Sequence, residues 1–326
     1  MQRDDLSSAA VTWGSDARAR VGVVGADARG FLHRMSTNKV SDLAAGEGRL
    51  NALVTDKGRF VDLVHHLDRG EAGVLLVGGR GRGAALVAWL DRFIFTERID
   101  LLDRSGLGSC AEIAGARAPA IVDTVVEGAA ALPPWAFVEC DGRVVVRAFD
   151  RVDGAGARVP SFIVVDLERP RVTGALAIAG ATEVDAADAE ALRIAAGVPG
   201  ETGELVEAFN PLELALHDAI HWAKGCYIGQ EVIARLDTYA KVGRRLVGLV
   251  LNEAARARVV PGAPVVVDGK PAGAVTSVSP RHNGTLPSAL AMVGVASPDA
   301  TAHIQVGGGV VEVRVVERAV AQAPHD

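Results

Sequence analysis

The chain has 326 residues and a mass of 33.8 kDa, with 49% hydrophobic residues, 23% charged residues and a net charge of −6. This length exceeds that of one compact domain, so two or three domains are expected. The acidic balance offers no general basic surface for phosphates, and we therefore expect no nucleic-acid partner. A polar N-terminus and the lack of a long apolar run predict a cytoplasmic protein without a membrane partner. Three cysteines without a C-x-x-C pair argue against a metal centre.

The first hundred residues alternate between apolar runs and turn residues. The predicted elements are a strand (Arg20–Gly25), a helix (Asp27–Val40), a hairpin turning at Asp56-Lys57-Gly58, a second helix (Ala85–Phe95) and a last strand (Arg98–Asp103). The helix opens on Asp27 as N-cap, and Phe31, Leu32 and Met35 share one face. This order of elements predicts a ferredoxin-like α+β subdomain over residues 1–105.

Residues 106–241 are predicted to form a second α+β subdomain. Its elements are a hairpin (Trp135–Phe149) turning at Asp141-Gly142, a buried strand (Ser161–Glu168) and a helix (Asp185–Ala196) ended by Gly197.

The strongest helix prediction covers Asn210–Lys224. Asn210 is a good cap, Pro211 suits the first helical position, and Glu213 completes a capping box. Leu212, Ala215, Leu216, Ala219, Ile220 and Ala223 form one apolar stripe. His217 and His221 lie four residues apart on the polar face, where we interpret them as solvated side chains and not as metal ligands.

Residues 242–326 are β-rich and broken by Gly, Pro and Asp-Gly turns, without a convincing helix. They predict a C-terminal antiparallel barrel or sandwich.

Cys226 lies in the segment KGCYIGQE (224–231), just past the predicted helix. Lys224 and the start of a following helix would favour its thiolate, and Gly225 and Gly229 would let a ligand approach the backbone. The alternative is an ordinary buried thiol, which is our interpretation of Cys110 and Cys140.

Asp62 lies on a predicted strand, on the same face as Phe60 and Val64. It is either a buried carboxylate with a raised pKa or an exposed one opposite a core face of Val61 and Leu63. Near the Cys226 segment, a basic group that includes Arg235 and Lys241 is either a solvated surface or a binding surface for a polycarboxylate.

The dodecapeptide KGCYIGQEVIAR (224–235) resembles the signature of the YgfZ/GcvT-like folate-binding proteins of iron–sulfur cluster assembly. FLHRMSTNKV (31–40), LRIAAGVP (192–199), NPLELAL (210–216) and GAVTSVSP (273–280) support the resemblance along the chain. The resemblance implies two ferredoxin-like subdomains and a C-terminal β-barrel around a central channel that accepts tetrahydrofolate. It also implies functional roles for Lys224, Cys226, Tyr227 and Gln230, and folate binding by Asp62, Arg193, Glu231 and Arg235.

The related glycine-cleavage T-proteins differ at three places. They carry an acidic residue and Phe where this chain has Cys226-Tyr227, paired aspartates where it has Val61-Asp62, and a pterin-binding Glu where it has Ala195. The expected function is therefore a folate-binding accessory protein for iron–sulfur enzymes, with client or assembly proteins as partners. The alternatives are a tetrahydrofolate-dependent aminomethyltransferase and a scaffold of the same fold that binds no folate.

Overall fold

The computed structural model describes residues 6–169, 171–239, 242–294, 301–306 and 309–318. Lys241 of the predicted basic group lies outside these ranges. The strands are β1 (Val11–Gly14), β2 (Arg18–Val24), β3 (Gly48–Val54), β4 (Phe60–Asp68), β5 (Val74–Arg80), β6 (Asp100–Asp103), β7 (Ser109–Ala114), β8 (Phe137–Cys140), β9 (Arg143–Arg147), β10 (Arg151–Val152), β11 (Arg158–Val159), β12 (Ser161–Asp166), β13 (Thr182–Glu183), β14 (Arg244–Val250), β15 (Pro264–Val267), β16 (Lys270–Val278), β17 (Ala289–Gly294), β18 (Thr301–Val306) and β19 (Gly309–Val316). The α-helices are α1 (Ala28–Met35), α2 (Gly83–Asp91), α3 (Ala118–Val125), α4 (Val172–Ile178), α5 (Ala186–Ala196), α6 (Gln230–Thr238) and α7 (Glu253–Arg256).

The first sheet is antiparallel, with its five strands in the order β3-β4-β5-β2-β6. The apolar faces of α1 and α2 form its core together with Val21, Val64 and Leu76. The predicted helix face of Phe31, Leu32 and Met35 is buried as expected. Asp27 does not cap α1, because its carboxylate accepts hydrogen bonds from the backbone and side chain of Arg98.

The second sheet has the order β13-β1-β7-β12-β9-β8 and is covered by α3 and α4. Its elements repeat the chain order of the first sheet: strand, helix, three sheet strands, helix, strand. Strand β1 lies between β7 and β13 and so belongs to this sheet, although it falls within residues 1–105. The Asp141-Gly142 hairpin and the Asp185–Gly197 helix boundaries are confirmed, since Gly142 and Gly197 both have positive φ and Asp185 caps α5.

The predicted helix over Asn210–Lys224 is wrong. The capping box forms, because Asn210 Oδ1 accepts from the Leu212 and Glu213 amides and Glu213 accepts from the Asn210 amide. The chain then leaves helical geometry at Ala215, where φ is +49°, and only a short 3₁₀ helix, His217–Ala219, follows. Every second residue from 212 to 216 is a leucine, and all three leucines are buried. The segment therefore packs against the protein on more than one side, and not along the single stripe of a helix. Tertiary packing overrides helix propensity here.

Six strands form a closed antiparallel barrel in the order β14-β17-β16-β15-β18-β19, which confirms the C-terminal β-domain. The one-turn helix α7, capped by Asn252, departs from the prediction of no helix. The barrel joins the first sheet through a shared apolar cluster in which Leu214 and Leu216 lie between Leu50 and Leu246. Among the described residues, no helix is long and apolar enough to cross a membrane.

Candidate functional site

Two adjoining cavities lie between the two sheets. The central cavity, about 40 Å³, is lined by residues of both sheets and of the segment that follows α5. The second cavity, about 270 Å³, is named here the arginine cavity. The two share the lining residues Arg18, Glu112, Arg151, Val198, Pro199 and Glu201. Within the described part of the chain, the barrel contributes no lining residue to either cavity, so they lie against the two sheets.

Glu112 is the charged residue at the centre of the arginine cavity. It projects from β7 and is 2% exposed. Arg18 contacts its carboxylate at 2.9 Å, Arg151 at 3.1 Å and Arg80 at 3.5 Å. Burial alone would raise the pKa of Glu112, but Arg18, Arg151 and Arg80 together lower it to about 2. The cavity wall is therefore charged and desolvated at neutral pH.

Arg193, predicted to bind folate, lies on α5 and lines the arginine cavity. Its guanidinium donates to Glu190, to the carbonyl of Val198, to Glu204 and to Ser277 of the barrel. These contacts join α5 to the barrel, so Arg193 has a structural role that sequence reasoning did not anticipate.

Asp62 is a buried carboxylate and not an exposed one, since it is only 1% exposed. Its carboxylate accepts from the Leu63 amide at 2.9 Å and lies against Gly79, which lines the central cavity. Burial raises the pKa of Asp62 to about 6, although Arg82 and the Gly79 amide favour the ionised form. A Cβ at Gly79 would lie 3.0 Å from Asp62 Oδ1, so this glycine allows the close approach.

The KGCYIGQE segment forms a loop on the first sheet and α1, away from both cavities. Lys224 is buried, and its ammonium donates to the carbonyls of His33, Ser36 and Asn38 at the C-terminal end of α1. Burial lowers the pKa of Lys224 to about 7, while these three acceptors favour its charged form. The expectation that Lys224 acts on the Cys226 thiol is not supported, because its ammonium is directed at α1.

The rest of the loop is ordered by close backbone contacts. Gly229 caps α6 with φ +80°, and a Cβ there would lie 2.5 Å from the carbonyl oxygen of Thr55. The Tyr227 ring lies 5.1 Å from the Lys224 ammonium, and burial raises the pKa of Tyr227 to about 12. Gln230 is half-buried and begins α6. A helix does start there, as expected.

Cys226 is exposed on this loop, as predicted. Cys140, which we interpreted as buried, is exposed at the end of β8, whereas Cys110 is buried and burial raises its pKa to about 12. Glu231 and Arg235 are exposed on α6, and neither they nor Cys226 line the two cavities. The predicted site residues thus fall into two places. Arg193 lines the arginine cavity and Asp62 is buried in the first sheet, beside Gly79 of the central cavity, whereas the motif residues lie on the loop and on α6.

A third concavity, the outer groove of about 1020 Å³, lies beside this loop. It is lined by the β3–β4 turn, by α2 and by Ile228 of the motif. Ile228 is the motif residue that connects the loop to a concave surface.

The Glu112 cluster was missed by sequence reasoning. Arg18, Arg80 and Arg151 come from three separate strands, so no local pattern brings them together. One signal was present: Glu112 is an acidic residue inside the apolar run CAEIA (110–114). A charge in a fully buried strand requires partners.

A folate is the cofactor implied by the sequence, and the cavities can be compared with it. The arginine cavity lies just below the usual range of small-molecule sites, and its guanidiniums suit carboxylates. Ala195 is fully buried among Val152, Ala196 and Val198, and its methyl group cannot accept hydrogen bonds from the pterin N–H donors. The guanidiniums that line the arginine cavity fit the carboxylates of a folate, and Ala195 does not fit the T-protein mode of pterin binding.

Two domain models match the chain. Residues 8–148 match the GCVT N-terminal domain, and residues 244–320 match the glycine cleavage T-protein C-terminal barrel domain. The structure superposes on the glycine cleavage system aminomethyltransferase T of Bartonella henselae with a TM-score of 0.80, covering 98% of this chain and 89% of that one. At 19% identity, this likeness concerns the fold alone.

Curated relatives have the names of transferases. A chloroplastic protein of Arabidopsis thaliana, named as a candidate transferase, is 30% identical over 274 residues, which are 82% of this chain and 61% of that protein. The chain therefore spans less than two thirds of that relative. An aminomethyltransferase of Rubrobacter xylanophilus is 29% identical over 257 residues, which are 78% of this chain and 68% of the enzyme.

Proposed function

This chain is GcvT-like, with the N-terminal domain and the C-terminal barrel of that fold, and we propose that it binds a reduced folate as an accessory protein for iron–sulfur enzymes. The folate would occupy the joined cavities between the two sheets. Asp62 would accept a hydrogen bond from the folate, and the arginines would face its carboxylates. Cytoplasmic location and a client or assembly protein as partner are part of the same proposal.

The packing of Ala195 is the observation that favours the accessory role over transferase activity. Ala195 is buried in an apolar cluster and has no carboxylate, whereas the resemblance implies a pterin-binding Glu at this position in T-proteins. Val61, the other member of the Val61-Asp62 pair, is apolar and packs against the core of the first sheet, so Asp62 is the only carboxylate of that pair. Both features favour binding of moderate affinity over transferase catalysis.

The second candidate is a tetrahydrofolate-dependent aminomethyltransferase. It is supported by the names of the curated relatives and by the shared fold. Calorimetric titration with tetrahydrofolate, followed by an assay for folate-dependent ammonia release from aminomethylated lipoyl carrier protein, separates the candidates. We expect binding without turnover. Turnover comparable to that of a T-protein would establish the transferase, and no binding of any folate would establish the scaffold.

Cys226 is proposed as the functional thiol of the accessory role, because it is exposed on a loop whose other residues are tightly held. Cys226→Ser should leave folate affinity unchanged, since the loop does not line the cavities. In cells that depend on this protein, the variant should lower the activity of iron–sulfur enzymes to the level of a deletion. Cys140→Ser is the matched control, an exposed thiol outside the motif. Equal complementation by both variants would remove Cys226 from the proposal.

A further inference from the structure

Three arginines of the arginine cavity share one buried carboxylate. Arg18, Arg80 and Arg151 surround the single carboxylate of Glu112. Glu201, half-buried, also lines the cavity, and it attracts Arg18. Arg193 is already paired with Glu190 and Glu204. The four arginines are thus matched in number by four carboxylates, but Arg18, Arg80 and Arg151 share the one carboxylate of Glu112, and a buried charge that is incompletely paired is unfavourable.

One hydrogen-bond donor in this wall is also unused. Arg151 is 5% exposed, and its Nε has no hydrogen-bond partner although NH1 and NH2 are engaged. Arg80 is the most accessible of the three arginines, with its side chain 38% exposed and its contact to Glu112 the longest. Both side chains line the cavity.

One part of the cavity wall is apolar, and it includes the Trp13 ring that lies 5.7 Å from the Arg151 guanidinium. Trp13, Ala186, Ala189 and Val198 line the same cavity of about 270 Å³. An inorganic anion would leave this wall uncovered, whereas an organic acid offers a carboxylate to the arginines and methylene groups to the apolar side.

We propose that the arginine cavity binds the carboxylate of a small organic acid, with Arg80 and Arg151 as its donors. Two sources supply this chemistry: a free dicarboxylate, or the glutamyl tail of a folate. The second source rests on the proposed function, and the first does not.

Glutarate and its neutral diamide, glutaramide, test the site by calorimetry. Glutarate should bind saturably, and glutaramide should not, because it lacks the charge. In Arg80→Gln, glutarate should bind about tenfold more weakly, the usual effect of losing one charge-assisted hydrogen bond. Arg281→Gln is the matched control, since Arg281 is also half-exposed and paired with acids but lies outside the cavity. Equal binding of glutarate and glutaramide, or equal glutarate affinity in the two variants, would overturn the proposal. If Arg80→Gln fails to fold, the comparison of glutarate with glutaramide on the unmodified protein still tests the proposal.

The source is identified with tetrahydrofolate and tetrahydropteroate, which lacks the glutamyl tail. If the cavity holds the tail, glutarate competes with tetrahydrofolate, and removal of the tail weakens binding by at least the factor that Arg80→Gln does. If the cavity holds a free acid, glutarate and tetrahydrofolate bind together. Glutarate binding without any folate binding would reject the proposed function and retain this site.

Discussion

Asp62 and Glu112 are two buried carboxylates whose pKa values shift in opposite directions: Glu112 lines the central cavity, and Asp62 is buried beside Gly79, which lines it. Asp62 meets backbone amides and has Arg82 only at a distance, so burial dominates and its pKa rises to about 6. Glu112 is buried to the same extent, yet the surrounding arginines lower its pKa to about 2. Burial therefore dominates the pKa of a carboxyl only where no cation forms an ion pair with it. The first sheet offers a carboxyl that titrates near neutrality, and the second offers a fixed charge.

Removing the charge of Glu112 should give the largest effect. In Glu112→Gln, Arg18, Arg80 and Arg151 lose their counter-charge while they remain buried or partly buried. We expect the free energy of unfolding at pH 7 to fall by about 3–5 kcal/mol, measured by urea denaturation. Glu139→Gln is the control, because Glu139 forms a more exposed pair with Arg69 and its loss should cost about 1 kcal/mol or less. Similar losses in the two variants would mean that the buried cluster contributes no more than a surface pair.

The opposite change is expected at Asp62. Its pKa is about 6 in the folded chain and 3.8 when unperturbed, so its ionisation disfavours folding. Stability from this group is fully present below pH 3.8 and is lost as pH rises through 6. Asp62→Asn should therefore raise the free energy of unfolding at pH 8 by up to about 3 kcal/mol, with no gain near pH 4.

Asp68→Asn is the matched comparison for Asp62→Asn. Asp68 is buried too, but hydrogen bonds from Arg29 outweigh its burial and lower its pKa. Its amide variant should be destabilised at pH 8. If both variants change in the same direction, the difference between paired and unpaired carboxylates does not hold in this protein.

The sequence predicted the sheets and the barrel better than it predicted the site. Local patterns such as Asp141-Gly142, Asp185 and the β-rich C-terminus determine their own geometry. The helix over Asn210–Lys224 failed because Leu214 packs between the first sheet and the barrel, which no local rule includes. Strand alternation marked Asp62 as a candidate but left it either buried or exposed, and the structure shows that it is buried. Arg18 and Arg151 were missed because their partner, Glu112, is about a hundred residues from one and about forty from the other.

Lys224 extends the comparison to a buried cation whose hydrogen bonds, like those of Asp62, join it to backbone groups. Lys224→Met keeps the length of the side chain and removes the donor to the carbonyls of His33, Ser36 and Asn38. We expect a loss of about 1–3 kcal/mol, since three buried or partly buried acceptors lose their charged donor. Amide hydrogen exchange over residues 225–229 should become faster, while α5 should be unaffected because it lies across the cavities. Lys57→Met, an exposed lysine on the neighbouring hairpin turn, is the control and should change neither. Unchanged exchange in Lys224→Met would show that Gly229, packed on Thr55, orders the loop without help from the buried ammonium.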